Sequence, residues 1–366
     1  MSALADATRT DVLDLMRADL RGFAGYSSAR SFRGDAEVWL NANESPWANA
    51  ADPEGRVRRY PEPQPPALRE ALAALYGCAP AQVLAGRGSD EAIDLVIRAL
   101  CMPGQGAVAI STPTFGMYAV CAWLHGARVV DVPLLERADG FFIDVDALVH
   151  AARRQDARVV FVCSPGNPTG TQQPLDDVRA VATALAGQAL VVVDEAYVEY
   201  AGEASAVALL DAFDNVAVLR TLSKLHGLAA ARIGCVIASP QLVAVLARCQ
   251  APYPLATPCV DMALRALDAQ GRAQASARAT EIRGERDALR AALLEMPGVR
   301  AAYPSAANFV LARLADPQAA FDALLAAGIV VRDVRAQPRL PDALRISLGT
   351  PAQNARVVDV LRGASA

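Results

Sequence analysis

From Val83 onward the apolar positions fall into short, nearly continuous runs that alternate with stretches of helical spacing. Strands are expected over residues 107–111, 127–132, 158–163, 190–194, 216–219 and 233–237, and helices over 90–101, 116–125, 175–185 and 240–249. Runs apolar on both faces, separated by helices, predict an α/β unit whose mainly parallel sheet is covered on both sides. Upstream, apolar residues at Val12, Leu13, Leu15, Met16 and Leu20 predict a helix over 8–20, and Leu68, Leu72 and Leu75 predict another that ends at Gly77. Downstream of Pro258 a helical pattern reaches to about Leu294, interrupted only by Gly271 and Gly284. It predicts a helix linking two units. The remainder, with strands expected at 308–314, 329–332 and 343–348 and helices at 319–326 and 352–362, reads as a smaller α+β unit.

Length agrees with that division, because 366 residues exceed one ordinary core and suit a large domain with a smaller companion. The expected partition is an N-terminal arm over 1–50 that contributes to the small domain, a large domain over 51–260, and a linking helix with the C-terminal small domain over 261–366. Of all residues 53% are hydrophobic and only 5% aromatic, which excludes a disordered chain. A net charge of −4 provides no basic field, so a nucleic-acid partner is not expected. The seven cysteines show no C-x-x-C spacing, predict neither a metal site nor a disulfide framework, and read as small buried residues of a reducing cytoplasm. Residues 1–20 are broken by charge and suggest neither a signal peptide nor an anchor, and no apolar run is long enough to span a bilayer.

Charge type is more informative than charge balance. Lysine and arginine together number 35, yet Lys224 is the only lysine. Arginine serves wherever a fixed positive charge is wanted, whereas only a primary amine can lose its proton, attack a carbonyl carbon and form a Schiff base. Composition bias that spared one lysine is the plain alternative. Around Lys224 lie Thr221, Ser223 and, a few residues on, Arg232, a set suited to an aldehyde that carries a phosphate.

Ligands of such sheets bind beyond the carboxyl ends of the strands, and those ends carry chemistry. Gly86-Arg87-Gly88-Ser89-Asp90 feeds a helix N-terminus, where free N–H groups favour an anion. Pro113-Thr114-Phe115-Gly116-Met117-Tyr118 places aromatics after a strand, for a flat ring or for the core. Cys163-Ser164-Pro165-Gly166-Asn167-Pro168-Thr169-Gly170 is a turn whose asparagine can donate to an oxyanion, although turn chemistry alone explains most of it. Asp194 ends a buried run, where it either forms a structural salt bridge or faces a cationic ligand. Arg332, Arg335 and Arg345 read equally well as solvated surface.

In this order, Asn167-Pro168-Thr169-Gly170, Asp194-Glu195-Ala196-Tyr197, Ser223-Lys224 and Arg232-Ile233-Gly234 resemble the fold-type I aminotransferases that use pyridoxal 5'-phosphate. Leu40-Asn41-Ala42-Asn43-Glu44, Arg59-Tyr60-Pro61, Pro113 to Tyr118 and Ala251-Pro252-Tyr253-Pro254 are similar, more narrowly, to the histidinol-phosphate aminotransferase family. The resemblance covers nearly the whole chain. It implies that Lys224 holds the cofactor through its amine and shuttles a proton, that Asp194 pairs with the pyridinium nitrogen, and that Asn167 and Tyr197 bond the ring oxygen. It also implies that Phe115 stacks on the ring, and that Ser89, Asp90, Thr221, Ser223 and Arg232 grip the phosphate, with Tyr60 arriving from the second subunit of a homodimer. Tyr26, Asn43, Asn167, Arg332 and Arg345 would serve the substrates, L-histidinol phosphate and glutamate or 2-oxoglutarate.

Three positions depart from the family pattern: Phe115 stands where tyrosine is usual, Gly166 where asparagine is usual, loosening the turn, and His226 where an apolar residue is usual. His226 reads as a packed, neutral imidazole rather than a proton relay. Competing readings are an aromatic amino-acid aminotransferase, a threonine-phosphate decarboxylase on the same scaffold, and a regulatory protein that borrowed the fold. The asparagine-rich Leu40 to Glu44 segment argues against the decarboxylase, and the lack of a basic or helix-turn-helix extension argues against the regulator.

Overall fold

The computed structural model describes residues 12–31, 36–202 and 204–364. Of the helix expected over 8–20, residues 8–11 lie outside the described residues; the rest forms two short 3-10 turns, Val12–Leu15 and Ala18–Leu20. The apolar positions are buried as the pattern requires, with Val12, Leu15 and Met16 in the core. The Arg17 N–H, however, donates to the carbonyl of Ala99 at 3.1 Å instead of continuing a helix. Tertiary docking overrides local propensity here.

Helix α1 (Pro66–Tyr76) ends on Gly77 in the left-handed conformation. It is followed by β1 (Val83–Gly86), α2 (Ser89–Leu100), β2 (Ala107–Ile110), α3 (Met117–His125), β3 (Arg128–Asp131), the hairpin β4 (Leu135–Arg137) and β5 (Gly140–Phe142), and α4 (Val145–Arg154). Next come β6 (Ala157–Cys163), α5 (Leu175–Ala184), β7 (Leu190–Asp194), β8 (Val216–Thr221), β9 (Gly234–Ala238) and α6 (Pro240–Cys249). Seven strands form one sheet in the order β1-β9-β8-β7-β6-β2-β3. Pairs among β3, β2, β6, β7 and β8 are parallel, and β9 runs antiparallel to both neighbours. Helix α4 and the β4–β5 hairpin fall outside the positions that the pattern predicts; α4 carries its own cap, Asp144 accepting from the N–H of Ala147.

The sheet is mixed and mostly parallel, with apolar side chains alternating between two covered faces. Val160, Val162, Val191, Val193, Val216 and Val218 share one core with Leu68 of α1, Leu148 of α4 and Val178 of α5. Phe161, Leu190, Val192, Ala217 and Leu219 share the other with Ile93 of α2, Tyr118 of α3 and Leu242 of α6. Among the cysteines, Cys101, Cys121 and Cys235 are buried, whereas Cys78, Cys163, Cys249 and Cys259 are only half-buried, and all are free thiols.

The helical pattern after Pro258 is two helices, α7 (Thr257–Ala266) and α8 (Ala269–Leu294). The chain breaks not at a glycine but at Asp268, whose carboxylate caps α8 by accepting from the N–H of Gly271 at 2.8 Å. Gly271 is there for space, since a Cβ would lie 2.2 Å from the carbonyl oxygen of Ala266. Beyond α8, β10 (Val299–Ala302), β11 (Phe309–Leu314), α9 (Pro317–Ala326), β12 (Arg332–Asp333), β13 (Ala343–Ser347) and α10 (Pro351–Ala364) build a second sheet, ordered β10-β11-β13-β12. The strand expected over 329–332 is displaced to Arg332–Asp333 because the Ile329 N–H closes the end of α9 on the carbonyl of Leu324. Arg313 of β11 bonds Glu136 of β4, which also accepts from the hydroxyl of Tyr303, and fastens the second sheet to the hairpin.

Candidate active site

A cleft of about 570 Å³ opens where β1, β2, β6, β7 and β8 end, closed on the far side by residues of the second sheet. The alternation that fills the sheet faces also aims the functional side chains. Leu190 and Val192 point toward the layer of α2 and α3, so Asp194, two further along β7, points there too and emerges at the cleft. Asp194 is 3% exposed. Its Oδ2 accepts from the hydroxyl of Tyr118 at 2.7 Å and its Oδ1 from the N–H of Ala196 at 3.2 Å. Burial, opposed by Tyr118 and by the Ala196 N–H, pushes the carboxyl up to about 6. Among the described residues no arginine or lysine hydrogen-bonds it.

The next residue has the opposite environment. Glu195 receives Arg220 Nη1 at 2.9 Å, the hydroxyl of Ser205 and the N–H of Ala206, while Arg220 Nη2 reaches Glu199 at 3.0 Å and the guanidinium lies 4.2 Å from the centre of the Tyr76 ring. Burial works against the charge of Arg220, but Glu199, Tyr76 and Glu195 push its pKa up.

Lys224 stands in the loop after β8, open to the same cleft as Asp194, with Nζ 5.5 Å from the centre of the Tyr197 ring. Desolvation by the cleft walls, followed by the Arg345 charge, lowers the pKa of its amine. Tyr197 is itself nearly buried and packs edge-on against Phe309 at 5.2 Å. Phe115, half-buried, lines the wall after β2, and Asn167 lines it after β6. The Asn167 turn is tight rather than loosened by Gly166. The Gly166 N–H bonds the carbonyl of Thr171 at 2.8 Å, and a Cβ on Gly166 would sit 2.3 Å from Thr169 Oγ1.

An anion cradle forms at the start of α2. Its N-cap is Gly88, at φ 78°, with no side chain capping the first turn. Thr221 and Ser223 bring hydroxyls 3.0 Å apart, and Arg232, held by a 2.9 Å contact to Asp90, supplies the cation. Gly234 of β9 makes this proximity possible, since a Cβ would lie 2.6 Å from both the Gly88 carbonyl carbon and the Ser89 nitrogen. From the second sheet come Arg332 and Arg345, opposite each other in the β12–β13 register. Arg345 is not solvated surface: it bonds Asn167 Oδ1, its guanidinium lies 5.0 Å from the centre of the Phe309 ring, and its Nε is buried without a partner.

Twelve expected residues thus share one cleft: Ser89, Asp90, Phe115, Asn167, Asp194, Tyr197, Thr221, Ser223, Lys224, Arg232, Arg332 and Arg345. Tyr26, Asn43 and Tyr60 do not line it; Tyr26 is 66% exposed, and Tyr60 stacks on Tyr253 at 4.5 Å. The sequence did not single out Val334 and Gln337, which line the cleft beside Arg332, or Tyr118 as the partner of Asp194. His226 is half-buried with Nε2 unpartnered, and burial and then Arg220 lower its pKa, as a packed neutral imidazole requires. Among the described residues no cluster of His, Cys, Asp and Glu could hold a metal, and no helix is long and apolar enough to cross a membrane.

This donor set fits a phosphorylated heterocyclic aldehyde. A phosphate suits the uncapped helix start with its two hydroxyls and arginine, a protonated ring nitrogen suits a buried carboxylate that has only neutral donors, and an aldehyde suits the lone amine.

Comparison with known proteins agrees. The family model described as aminotransferase class I and II matches residues 27–361. The histidinol-phosphate aminotransferase of Stenotrophomonas maltophilia is 61% identical over 96% of both chains. That of Xanthomonas campestris pv. campestris is 59% identical over 96% of this chain and 97% of its own. The crystal structure of histidinol-phosphate aminotransferase from Sinorhizobium meliloti in complex with pyridoxal-5'-phosphate superposes with a TM-score of 0.76 at 28% identity, covering 85% of this chain and 84% of that one.

Proposed function

Because the chain belongs to the aminotransferase class I and II family, we propose that it reversibly transfers the amino group between L-histidinol phosphate and 2-oxoglutarate. The products are imidazole acetol phosphate and L-glutamate, the cofactor is pyridoxal 5'-phosphate, and the reaction belongs to histidine biosynthesis. The observation that carries this reading is the convergence on one cleft of the only lysine, a buried carboxylate without a cationic hydrogen-bond partner, and an uncapped helix start.

When bound, the cofactor supplies an aldehyde for an amine and a ring that takes up the electron pair left when the substrate α-carbon loses its proton. The chain does the rest. Lys224 Nζ, its pKa lowered by desolvation, holds the cofactor and then carries the proton to and from the α-carbon. Asp194 keeps the ring nitrogen protonated, Asn167 and Tyr197 bond the ring oxygen, and Phe115 covers one face. The N–H groups of Ser89 and Asp90, the hydroxyls of Thr221 and Ser223, and Arg232 hold the phosphate. Arg332 and Arg345, which line the cleft, take the anionic ends of the two substrates, so one clamp serves a phosphate and a carboxylate.

Tyr60 belongs to the site of a second copy, which makes the working unit a cytoplasmic homodimer. The exposure of Tyr60 and its place outside this chain's own cleft support that assignment. The division into an arm over 1–50, a cofactor-binding unit over 51–260 and a C-terminal unit over 261–366 is part of the same reading, since Asp194 and Lys224 come from the second unit and Arg332 and Arg345 from the third.

Two measurements test this. With 2-oxoglutarate as acceptor, kcat/KM is expected to favour histidinol phosphate over phenylalanine, and the reverse order would replace the proposal with an aromatic amino-acid aminotransferase. Lys224→Arg keeps the charge but has no amine to condense, so turnover should fall by about a thousandfold or more while the protein stays folded. An active Lys224→Arg enzyme would refute the mechanism.

A further inference from the structure

One hydroxyl touches the buried acid of the cleft. Tyr118 lies in the first turn of α3, and its side chain is completely buried between that helix and the sheet. Its ring stacks on Phe161 of β6 at 4.5 Å with an interplanar angle of 4°. Its edge meets Phe115 at 5.7 Å and 84°, and its hydroxyl donates to Asp194 at 2.7 Å. A single rigid side chain therefore contacts both the wall that would cover the cofactor ring and the acid that would hold its nitrogen. Phenylalanine would fill the same space between Phe161 and Phe115. The hydroxyl also meets the Cys163 thiol, but its hydrogen bond to a carboxylate is the one to Asp194.

We infer that Tyr118 is a positioning residue for the cofactor: its hydroxyl orients the Asp194 carboxylate for the ring nitrogen, and its ring backs Phe115. This deepens the pyridoxal phosphate reading of the cleft and rests on it. The groups facing Asp194 from the elements around it are Asp90 from α2, Tyr118 from α3, Cys163 from β6, Lys224 from the loop after β8, and Tyr197 from its own loop. Burial raises the carboxyl and Asp90 adds to the rise, whereas the Tyr118 bond, the Ala196 N–H and Lys224 lower it. Removing the hydroxyl therefore favours the protonated acid, which is neutral and cannot pair with a ring cation.

The test is equilibrium binding of pyridoxal 5'-phosphate to the full-length apoenzyme as a function of pH, in the wild type, Tyr118→Phe, Tyr118→Leu, Asp194→Asn and the Tyr118→Phe/Asp194→Asn pair. Tyr118→Phe is expected to weaken binding about tenfold at neutral pH, the scale of a buried hydrogen bond to a charge. Its acid limb should move upward by about one pH unit. In the Asp194→Asn background the same change should cost less than about twofold, because the group it acts on is gone. If Tyr118→Phe does not fold alone, the comparison of Asp194→Asn with the pair still decides, and a further tenfold loss there overturns the inference. Wild-type affinity and an unmoved acid limb in Tyr118→Phe, with only Tyr118→Leu weakened, would make the residue packing alone and overturn it too. Wild-type protein that binds no pyridoxal 5'-phosphate at any pH would instead overturn the cofactor reading beneath it.

Discussion

Asp194 and Glu195 are consecutive carboxylates at the end of one buried strand, and their surroundings could hardly differ more. Glu195 is saturated, with an arginine, a hydroxyl and a peptide N–H converging on it, and Arg220 in turn is shared with Glu199 and the Tyr76 ring. Asp194 accepts from a hydroxyl and a peptide N–H, and among the described residues no arginine or lysine hydrogen-bonds it. The period-two geometry of a strand puts the rows on opposite faces, with Arg220 among the side chains of α1's layer and Thr221 beside Asp194 at the cleft. One strand end thus holds an arginine-paired acidic cluster that secures the fold and, one residue away, a buried acid that accepts only from neutral donors. A buried charge missing its partner is a sharper sign of a binding site than a buried charge as such.

Substitutions can break this contrast, and the largest effect is expected at the open acid. Asp194→Asn should lower kcat by about a hundred- to a thousandfold, the scale of losing one preorganised electrostatic partner. The apoenzyme should nevertheless become more resistant to heat. Asp194 titrates near 6 in the folded protein against 3.8 unfolded, so its ionisation destabilises the fold fully above pH 6. The asparagine variant should keep its thermal advantage there and lose it as pH falls from about 6 toward 3.8. An apoenzyme whose melting temperature drops at pH 8 on this change would show that the acid is structurally satisfied after all.

Arg220→Met should do the reverse. It strands Glu195 and Glu199 in a buried site and should cost about 3–5 kcal/mol in chemical denaturation, while the folded fraction keeps its affinity for pyridoxal 5'-phosphate. Lost affinity without lost stability would erase the distinction between the two faces. The smallest effect belongs to His226→Leu, which replaces an imidazole near Arg220 whose Nε2 is buried without a partner; kcat/KM should stay within about twofold and stability should hold or rise. A large fall in kcat with a changed pH profile would instead make His226 a proton relay.

The strand ends were legible in the sequence because an apolar run that stops on a polar residue states both the element and its exit. Asp194, Thr221 and Asn167 could each be placed at a sheet terminus that way, and the chemistry of a lone lysine needed no structure at all. What could not be read was pairing across distance. Tyr118 and Asp194 are 76 positions apart, and nothing in an aromatic that follows a turn says which acid it will meet. Arg345 was ambiguous for the same reason, since a charged residue in a strand looks solvated until the Phe309 ring and Asn167 are seen beneath it. The N-terminal pattern marked the right residues as buried but the wrong local conformation, because the bond from Arg17 to Ala99 lies outside any sequence window. The interruption at Asp268 was misplaced because a glycine was taken as a stop where it relieves a collision.

The close approach of Gly234 to the Gly88–Ser89 peptide has a bearing on how such a protein tolerates change. The anion cradle is drawn in main chain and held by the absence of a side chain, so ordinary substitution along α2 can alter the helix surface without shifting the N–H groups at its tip. Any residue bulkier than glycine at 234 would push the strand and the helix apart together, and no neighbouring repair could restore the gap. An engineer redesigning substrate preference therefore has freedom around Arg332, Val334 and Gln337 and almost none at this seam.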